Sequence, residues 1–453
     1  MSGKKNRFQN RQTNPTRMIA LTFAAIILLG AVLLSLPVAS RSGQSCGFRP
    51  ALFTATSATC VTGLVMYDTA TQWSTFGQLV IITLIEIGGL GFMSAASAVI
   101  FLFRRKVGMR QRMLMAQAIS VDDMQSVVKL QKWVILGSLS IQACGALVLF
   151  FRFLPEFGLH QAAAWGAFHA VSAFCNAGFD IWGVLAPGQS AAVFNHDPVV
   201  LITLMALVTL GGLGFLVWEE VVRVRKFKKF SVYTKLVLVA TGVLLVLGAG
   251  LTLLLEWNNP ETLGEMPWGQ KILNSFFQSV TLRTAGFASF DQAGLTEGGK
   301  AVSILFMLVG GSSGSTAGGA KTVTIMVLLL FIGTRLRGRT TVTVFKRSVL
   351  PEKVMDAMMI VSVMVGLSLF GAIVICTTSP VSFVDGLFES VSAIATVGVT
   401  AGATTNLSIP AQLLMMVFMY FGRVGILTIS LGFLLGDRAE ERFRYANTNL
   451  LIG

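Results

Sequence analysis

The chain has few charged residues for its length, and this shortage excludes an ordinary water-soluble fold. Asp, Glu, Lys and Arg make up only 12% of the 453 residues, whereas hydrophobic residues make up 54% and the mean hydropathy is +0.73. Soluble domains carry about 25% charged residues, so this composition is typical of a polytopic membrane protein.

Cysteine and histidine are also scarce. The five cysteines have no CxxC spacing and the three histidines are scattered, so we predict neither a disulfide framework nor a catalytic or metal-binding cluster. The glycine-serine run at 310–322 lacks the GxxxxGK[ST] spacing of a phosphate-binding loop. An integral-membrane enzyme would need a catalytic, metal-binding or phosphate-binding group of residues of this kind. The sequence therefore favours a transport protein without a covalent cofactor.

The positive charges are distributed unevenly. Most of the 35 Lys and Arg lie in residues 1–17, 104–132, 219–235, 334–353 and 437–453. By the positive-inside rule these segments face the cytoplasm, which predicts a multi-pass protein of the cell membrane with both termini cytoplasmic. The net charge of +14 therefore reflects topology, and we predict no nucleic-acid partner.

Four segments of the chain align without gaps, and each ends in a glycine. They read ALFTATSATCVTG, GAFHAVSAFCNAG, NSFFQSVTLRTAG and GLFESVSAIATVG, and they end at Gly63, Gly178, Gly286 and Gly398. The glycines are 115, 108 and 112 residues apart. This spacing is too long for a solenoid unit and predicts four copies of one membrane module.

Each copy is predicted to contain a spanning helix, a short re-entrant pore helix and a second spanning helix. The pore segments are too short to cross about 30 Å of hydrocarbon, and they would shield one another around a common axis. The predicted fold is therefore an all-α polytopic membrane protein with eight spanning helices and four pore helices around one pseudo-fourfold pore. We predict a cytoplasmic segment at 1–17, repeats at 18–104, 133–219, 234–334 and 354–436, and a cytoplasmic tail at 437–453. Within the repeats, the second helices are predicted at 76–103, 198–218, 300–333 and 409–436.

The residues just before each glycine are predicted to form a cation filter. Stacked backbone carbonyls bind dehydrated potassium without a fixed charge, and glycine permits the conformations that point them inward. The pore helices also direct their partly negative C-terminal ends toward the axis. Ordinary glycine turns are the alternative, which four segments in register disfavour. The predicted filter residues are Val61, Thr62, Gly63, Asn176, Ala177, Gly178, Thr284, Ala285, Gly286, Thr396, Val397 and Gly398.

The second helix of the third repeat is predicted to be broken within the membrane. The other repeats carry IGGLGF, LGGLGF or FGRVGI at the same place, where we expect the small residues to allow close packing. The third repeat instead carries a run too rich in glycine for a helix, between apolar segments too short to span alone. A flexible interdomain linker is the alternative. The predicted loop includes Gly310, Gly311, Ser312, Ser313, Gly314, Ser315, Thr316, Ala317, Gly318, Gly319 and Lys321.

Arg423 interrupts the apolar second helix of the fourth repeat. A buried arginine costs several kcal/mol unless it is paired or faces water. It either pairs with a buried carboxylate, or it faces the permeation path, repels cations and hydrogen-bonds the 310–321 loop. Glu86 and Glu389 either attract cations or pair with Arg423 or Arg283, and Arg283 is expected to brace the filter from behind.

The motifs SATCVTGL, FHAVSAFCNAGF, RTAGF and SAIATVGVT resemble the four filters of the Trk/Ktr/HKT cation transporters. The short N-terminal segment makes Ktr-type transmembrane subunits the most similar group, from about residue 16 to the C-terminus. In HKT relatives a serine at the first filter position accompanies sodium selectivity. All four positions are glycine in this chain, so the resemblance implies potassium uptake. Sodium is then a possible activating or coupling ion, and a sodium-selective or poorly selective transporter is the alternative.

The same resemblance implies a gate and two kinds of partner. The 310–321 loop corresponds to an intramembrane gate, and Arg423 is expected to act with it. Ktr subunits form homodimers in which each protomer has its own pore, and they bind a cytoplasmic RCK-type ring that binds ATP or ADP. The basic runs at 104–112, 223–229 and 335–347 are candidate docking surfaces, and membrane lipid headgroups are the alternative ligand for them.

Overall fold

A computed structural model describes residues 15–91 and 127–425, and all structural statements refer to this part of the chain. Helices dominate it, and the predicted all-α class is confirmed. One short hairpin pairs strand β1 (Thr343–Val344) with β2 (Arg347–Ser348) in antiparallel register. The basic run at 104–112, the tail at 437–453 and nearly all of the segment at 1–17 lie outside the described residues.

The helices repeat a fourfold order of first helix, pore helix and second helix. In chain order they are α1 (Pro15–Ser35), α2 (Phe48–Thr59), α3 (Thr69–Gln72), α4 (Thr75–Leu90), α5 (Val127–Phe174), α6 (Pro198–Leu213), α7 (Phe215–Val224), α8 (Val232–Glu256), α9 (Trp268–Thr281), α10 (Glu297–Met307), α11 (Thr322–Leu336), α12 (Pro351–Thr378), α13 (Phe383–Ile394) and α14 (Ile409–Val424). The pore helices are α2, the end of α5, α9 and α13. In the second repeat the first helix and the pore helix are both parts of α5, which turns at Gly158 (φ 76°).

Among the described residues, four helices are long and apolar enough to cross a membrane. They are Arg17–Ser35, Gln131–Phe174, Val232–Glu256 and Pro351–Thr378. Only 28–33% of their most apolar stretches is buried inside the protein. Most of their apolar surface therefore faces outward, as lipid-facing helices require.

In the first, second and fourth repeats, the described second helix ends at a glycine. The helices α4, α6 and α14 have 16 residues each, or about 24 Å at 1.5 Å per residue. They end at Gly91, Gly214 and Gly425, whose φ angles are 83°, 91° and 93°. Side chains other than hydrogen disfavour this left-handed region, so glycine at these three positions ends the helix.

In the second repeat the chain changes direction sharply at such a glycine. After Gly214 it turns by 95° into α7. The prediction of one continuous span over 198–218 is therefore wrong. The ends predicted for the spans at 76–103 and 409–436 lie outside the described residues.

The third repeat has the break that the sequence predicted. Its second helix consists of α10 and α11, and a loop separates them. Two backbone hydrogen bonds close this loop, from Gly310 N to Ala320 O (2.8 Å) and from Thr322 N to Gly311 O (3.0 Å). The loop is therefore an ordered element between two half-helices.

Candidate functional site: a fourfold filter above a loop

The four glycines that end the repeated segments surround one axis. A Cβ atom at Gly63 would lie 3.3 Å from the Cα of Gly178, and one at Gly178 would lie 2.6 Å from the Cα of Gly286. One at Gly286 would lie 2.9 Å from the carbonyl oxygen of Val397, and one at Gly398 would lie 3.0 Å from the Cα of Gly63. The ring therefore closes in the order of the repeats, and no side chain fits at these positions.

Backbone carbonyls of the residues before the glycines point into this ring. The oxygens of Ala177, Ala285 and Val397 lie 2.6, 2.8 and 2.9 Å from the Cβ position of a glycine in another repeat. The oxygen of Thr62 contacts the fourth glycine in the same way. Oxygens arranged around an axis can replace the hydration water of a cation.

The backbone two residues before each glycine is left-handed. The φ angles are 57° at Val61, 60° at Asn176, 64° at Thr284 and 51° at Thr396. Such angles are uncommon for residues other than glycine and cost on the order of 1–3 kcal/mol each. Because φ is positive again at each glycine, successive carbonyls turn toward the same side. The shared strain fits a site that binds a ligand through its backbone.

Hydroxyl groups at the ends of the pore helices hold the filter from behind. Ser57 and Ser392 accept hydrogen bonds from the N–H of the glycine in their own repeat, at 3.1 and 3.0 Å. Ser172 and Thr281 donate to the carbonyl after the glycine, both at 2.6 Å, and Ser392 does so as well, at 2.7 Å. We did not predict this role, although the serine six residues before the glycine in three repeats is a visible signal.

The mouth of the filter on the side opposite the 310–321 loop is acidic. A cavity of about 600 Å³ is lined by the four filter glycines and by Asp68, Asp180, Glu261 and Asp291. No Lys or Arg of the described residues lines it. Burial, and then the charge of Asp68, raise the pKa of Asp180 to about 7. Carboxylates around a cleft raise the local concentration of cations. We did not predict these residues, although Asp68 and Asp291 each follow a filter glycine by five positions.

The 310–321 loop lies against the other side of the filter. The hydroxyl of Thr316 is 3.1 Å from the carbonyl oxygen of Phe174 and 3.0 Å from the side-chain oxygen of Asn176. A Cβ atom at Gly318 would overlap the side chain of Thr396. The loop thus contacts the second and fourth filter segments directly below the ring.

The loop is also hydrogen-bonded to the second helix of the second repeat. Ser312 N donates to Gly212 O at 3.0 Å, and Thr316 N donates to Gly211 O at 3.2 Å. These acceptors are available because α6 ends one residue before Gly214 and leaves its last carbonyls without helical partners.

Arg423 joins the loop to the first repeat. Its guanidinium donates to the carbonyl oxygens of Thr316 and Gly88, and to that of Gly89 at 2.9 Å. No carboxylate of the described residues lies within 4 Å of it. The hydrogen bond to the loop that we predicted is therefore present, whereas a carboxylate partner is absent from the described part of the chain.

Arg283, which is buried, and Glu86, which is half-buried, also have structural contacts. Arg283 donates to the hydroxyl of Thr322 at 3.3 Å, and Thr322 donates to Gly310 O at 2.8 Å. Arg283 thus lies behind the filter and beside the base of the loop, as predicted for a brace. Glu86 accepts from the side-chain amide of Gln142 at 3.0 Å and does not pair with an arginine of the described residues.

Glu389 anchors the loop that follows the fourth filter segment. It is fully buried in the pore helix α13 and accepts hydrogen bonds from Thr400 and from Thr404 Oγ1 (2.6 Å). It also accepts from the backbone N–H groups of Ala401 (3.0 Å) and Ala403 (3.3 Å). Of the two roles considered from the sequence, pairing with an arginine is not observed among the described residues, and cation attraction stays a prediction.

Removing this anchor should destabilise the protein. Glu389→Ala leaves two buried N–H donors without an acceptor, each at a cost of about 1–3 kcal/mol. We expect a lower Tm in detergent for Glu389→Ala and a much smaller decrease for Glu389→Gln, which keeps one acceptor oxygen. Equal Tm values for the two variants would contradict the anchoring role.

Comparison with known proteins agrees with this geometry. The family model described as "TrkH: Cation transport protein" matches residues 3–441. The potassium/sodium uptake protein NtpJ of Enterococcus hirae is 37% identical over the full length of both chains. The Ktr system potassium uptake protein B of Bacillus subtilis is 37% identical over 95% of both chains. The protein of the same name from Vibrio alginolyticus is also 37% identical, over 96% of this chain and 94% of its own.

A solved structure shows the same fold. The crystal structure of the potassium transporter TrkH from Vibrio parahaemolyticus matches with a TM-score of 0.72, covering 96% of this chain and 87% of its own, at 16% identity. The family match extends over nearly the whole length, and relatives at 37% identity are covered almost end to end. The chain therefore belongs to the TrkH family of cation transport proteins, and it is a multi-pass membrane transporter rather than an enzyme.

Proposed function

We propose that the chain is the ion-conducting subunit of a Ktr-type system that takes up potassium across the cell membrane. The observation that carries this proposal is the ring of carbonyl oxygens from Thr62, Ala177, Ala285 and Val397 around one axis. Such a ring suits a monovalent cation that gives up its hydration water. Relatives named potassium uptake proteins support the same choice.

Sodium is the second ion to consider, because the Enterococcus relative is named a potassium/sodium uptake protein. All four filter positions are glycine in this chain. We therefore favour potassium as the transported ion and sodium as an activating or coupling ion, and a sodium-selective or poorly selective transporter is the alternative.

We further infer that the 310–321 loop is the gate. It contacts Asn176 and Thr396 directly below the filter, so an ion leaving the filter meets the loop first. Arg423 hydrogen-bonds the loop and adds a positive charge that repels cations. For the ion path below the filter to open, the loop must move away, and the hydroxyl of Thr316 must then give up its hydrogen bonds to Phe174 and Asn176.

The partners follow from the same assignment. The relatives named as parts of a Ktr system support a separate regulatory subunit, and we propose an RCK-type nucleotide-binding ring on the cytoplasmic side. The basic run at 335–347 begins in the last turn of α11, so a protein bound there can act through α11 on the C-terminal end of the loop. We also propose a homodimer with one pore in each protomer and with both termini in the cytoplasm.

Complementation tests the transported ion. We expect the chain to restore growth at limiting potassium in a host that lacks its own potassium uptake systems, and to take up rubidium as a potassium tracer. Replacing external sodium with an organic cation should slow this uptake if sodium is coupled or activating. Sodium influx without rescue, from a chain present in the membrane, would contradict the potassium proposal and favour the alternative.

A further inference from the structure

The corner between α7 and α8 presents basic and apolar side chains on one surface. Two apolar side chains of this corner, Val222 and Phe227, expose 54% and 49% of their surface beside its basic residues. Segments with this combination lie at the interface between water and a bilayer. The exposed cations are Arg223, Arg225, Lys226, Lys228 and Lys229.

The helix α7 has the orientation of an interfacial segment. It is bent by 95° from α6, and spanning helices are tilted by only about 20° on average from the membrane normal. The helix therefore runs along the membrane plane, at the end of α6 that the positive-inside rule assigns to the cytoplasm. Trp218 fixes this bend, because its indole N–H donates to Leu210 O at 3.0 Å.

Neighbouring carboxylates leave most of this positive charge uncompensated. Glu219 pairs with Arg223 at 2.8 Å. Glu220 accepts from Ser231 N at 2.6 Å and from the hydroxyl of Thr234 at the start of α8. The other four cations of the corner have no carboxylate of the described residues within 4 Å.

Both helices of the corner are hydrogen-bonded to the 310–321 loop. Phe215 N, at the start of α7, donates to Gly314 O at 2.9 Å. Tyr233 Oη, at the start of α8, donates to Ser313 O at 3.0 Å. A ligand that fixes the corner therefore also fixes the loop.

We propose that residues 222–229 bind anionic phospholipid headgroups, and that bound lipid holds the 310–321 loop in the position seen here. The effect on transport rests on the proposed function of this loop as the gate. Lysine and arginine beside a membrane attract anionic headgroups. A protein partner is less suited to this corner, because the apolar side chains lie beside the cations on a segment in the membrane plane.

A binding measurement tests the site without any transport. The full chain in detergent is titrated with dioctanoyl phosphatidylglycerol and, separately, with dioctanoyl phosphatidylcholine. We expect preferential binding of the anionic lipid, and roughly 100-fold weaker binding by K226Q/K228Q/K229Q. The matched variant R337Q/R339Q/K346Q removes the same charge from another exposed basic run. A much smaller loss of lipid binding in it than in K226Q/K228Q/K229Q places the site at the corner, whereas equal losses show general attraction to positive charge and overturn the lipid site.

A flux measurement tests the link to the loop. In vesicles of phosphatidylcholine with one quarter phosphatidylglycerol, the wild-type flux should be several-fold lower than in phosphatidylcholine alone, whereas K226Q/K228Q/K229Q should be equally active in both. Tyr233→Phe removes the hydrogen bond to Ser313 O. It should bind the anionic lipid normally and lose most of the slowing.

The outcomes separate this proposal from the transport function. Unchanged phosphatidylglycerol binding by K226Q/K228Q/K229Q overturns the lipid site. If this variant instead loses binding of an isolated regulatory ring while it keeps the lipid, the corner is a protein-docking surface. Absence of flux in every vesicle contradicts the transport function, and the binding measurement still decides whether the lipid site exists.

Discussion

Alanine at position 178 should abolish potassium uptake. Gly178 has a φ of 68°, and a Cβ there would lie 2.6 Å from the Cα of Gly286 and 2.8 Å from the oxygen of Ala285. The neighbouring segments cannot move aside, because the other repeats close the same ring. A barrier higher by about 3 kcal/mol reduces a rate by roughly 100-fold, and we expect at least this loss in rubidium uptake by cells.

Gly242→Ala is the matched control. Gly242 lies within α8, and no atom beyond its own helix lies within 4 Å of the position of its Cβ. Alanine favours a helix over glycine by about 1 kcal/mol, so this variant should be at least as stable as the wild type and transport normally. Equal uptake by Gly178→Ala and Gly242→Ala would show that the ring of glycines is not the filter.

Arg423→Ala should raise the potassium flux through the isolated chain. The variant loses the hydrogen bonds to Thr316, Gly88 and Gly89, together with the positive charge below the filter. Hydrogen bonds to a charged group contribute about 1.5–3 kcal/mol each, so losing even one favours loop displacement by roughly ten- to 100-fold. Flux into proteoliposomes made without a regulator measures the effect.

Arg423→Lys separates the two contributions of this side chain. Lysine keeps the charge, but it cannot reproduce the fork of donors that contacts several carbonyls at once. Low flux in Arg423→Lys would make the charge the main barrier, and high flux would make the hydrogen bonds to the loop decisive. If Arg423→Ala transports at the wild-type rate with normal amounts in the membrane, Arg423 has no part in the gate.

The fourfold architecture was predictable because one simple pattern repeats. Close approach of backbones requires small residues, and these recur at fixed intervals. A Cβ at Gly88 would overlap the carbonyl oxygen of Thr59, and one at Gly211 would overlap that of Phe174. This is the packing role that we predicted for these glycines.

The ends of the second helices were harder to predict. The third glycine of the same motif, at Gly91 and Gly214, has a positive φ and ends its helix. A glycine in a sequence signals that close approach and a left-handed backbone are both allowed, but the surrounding chain decides which one occurs. The loop was predictable because its glycine and serine content excludes a helix outright.

Long-range polar contacts were the least predictable part of the site. Glu389 is visible as a carboxylate in a pore helix, but its partners Thr400 and Thr404 become neighbours only when the chain folds back over it. The same holds for Arg423, whose three acceptors come from the first and third repeats. Periodicity reveals which helices exist, whereas contacts of this kind depend on how the repeats close around the axis.

The glycine break after α6 separates ion recognition from control mechanically. The hydroxyl groups that support the filter belong to the pore helices, whereas α7 follows the break at Gly214 and is hydrogen-bonded to the 310–321 loop. The helix α7 can therefore move with the loop while the oxygen spacing, on which the choice of ion depends, stays constant. Substitutions in α7 should change how often the pore conducts without changing which cation it prefers.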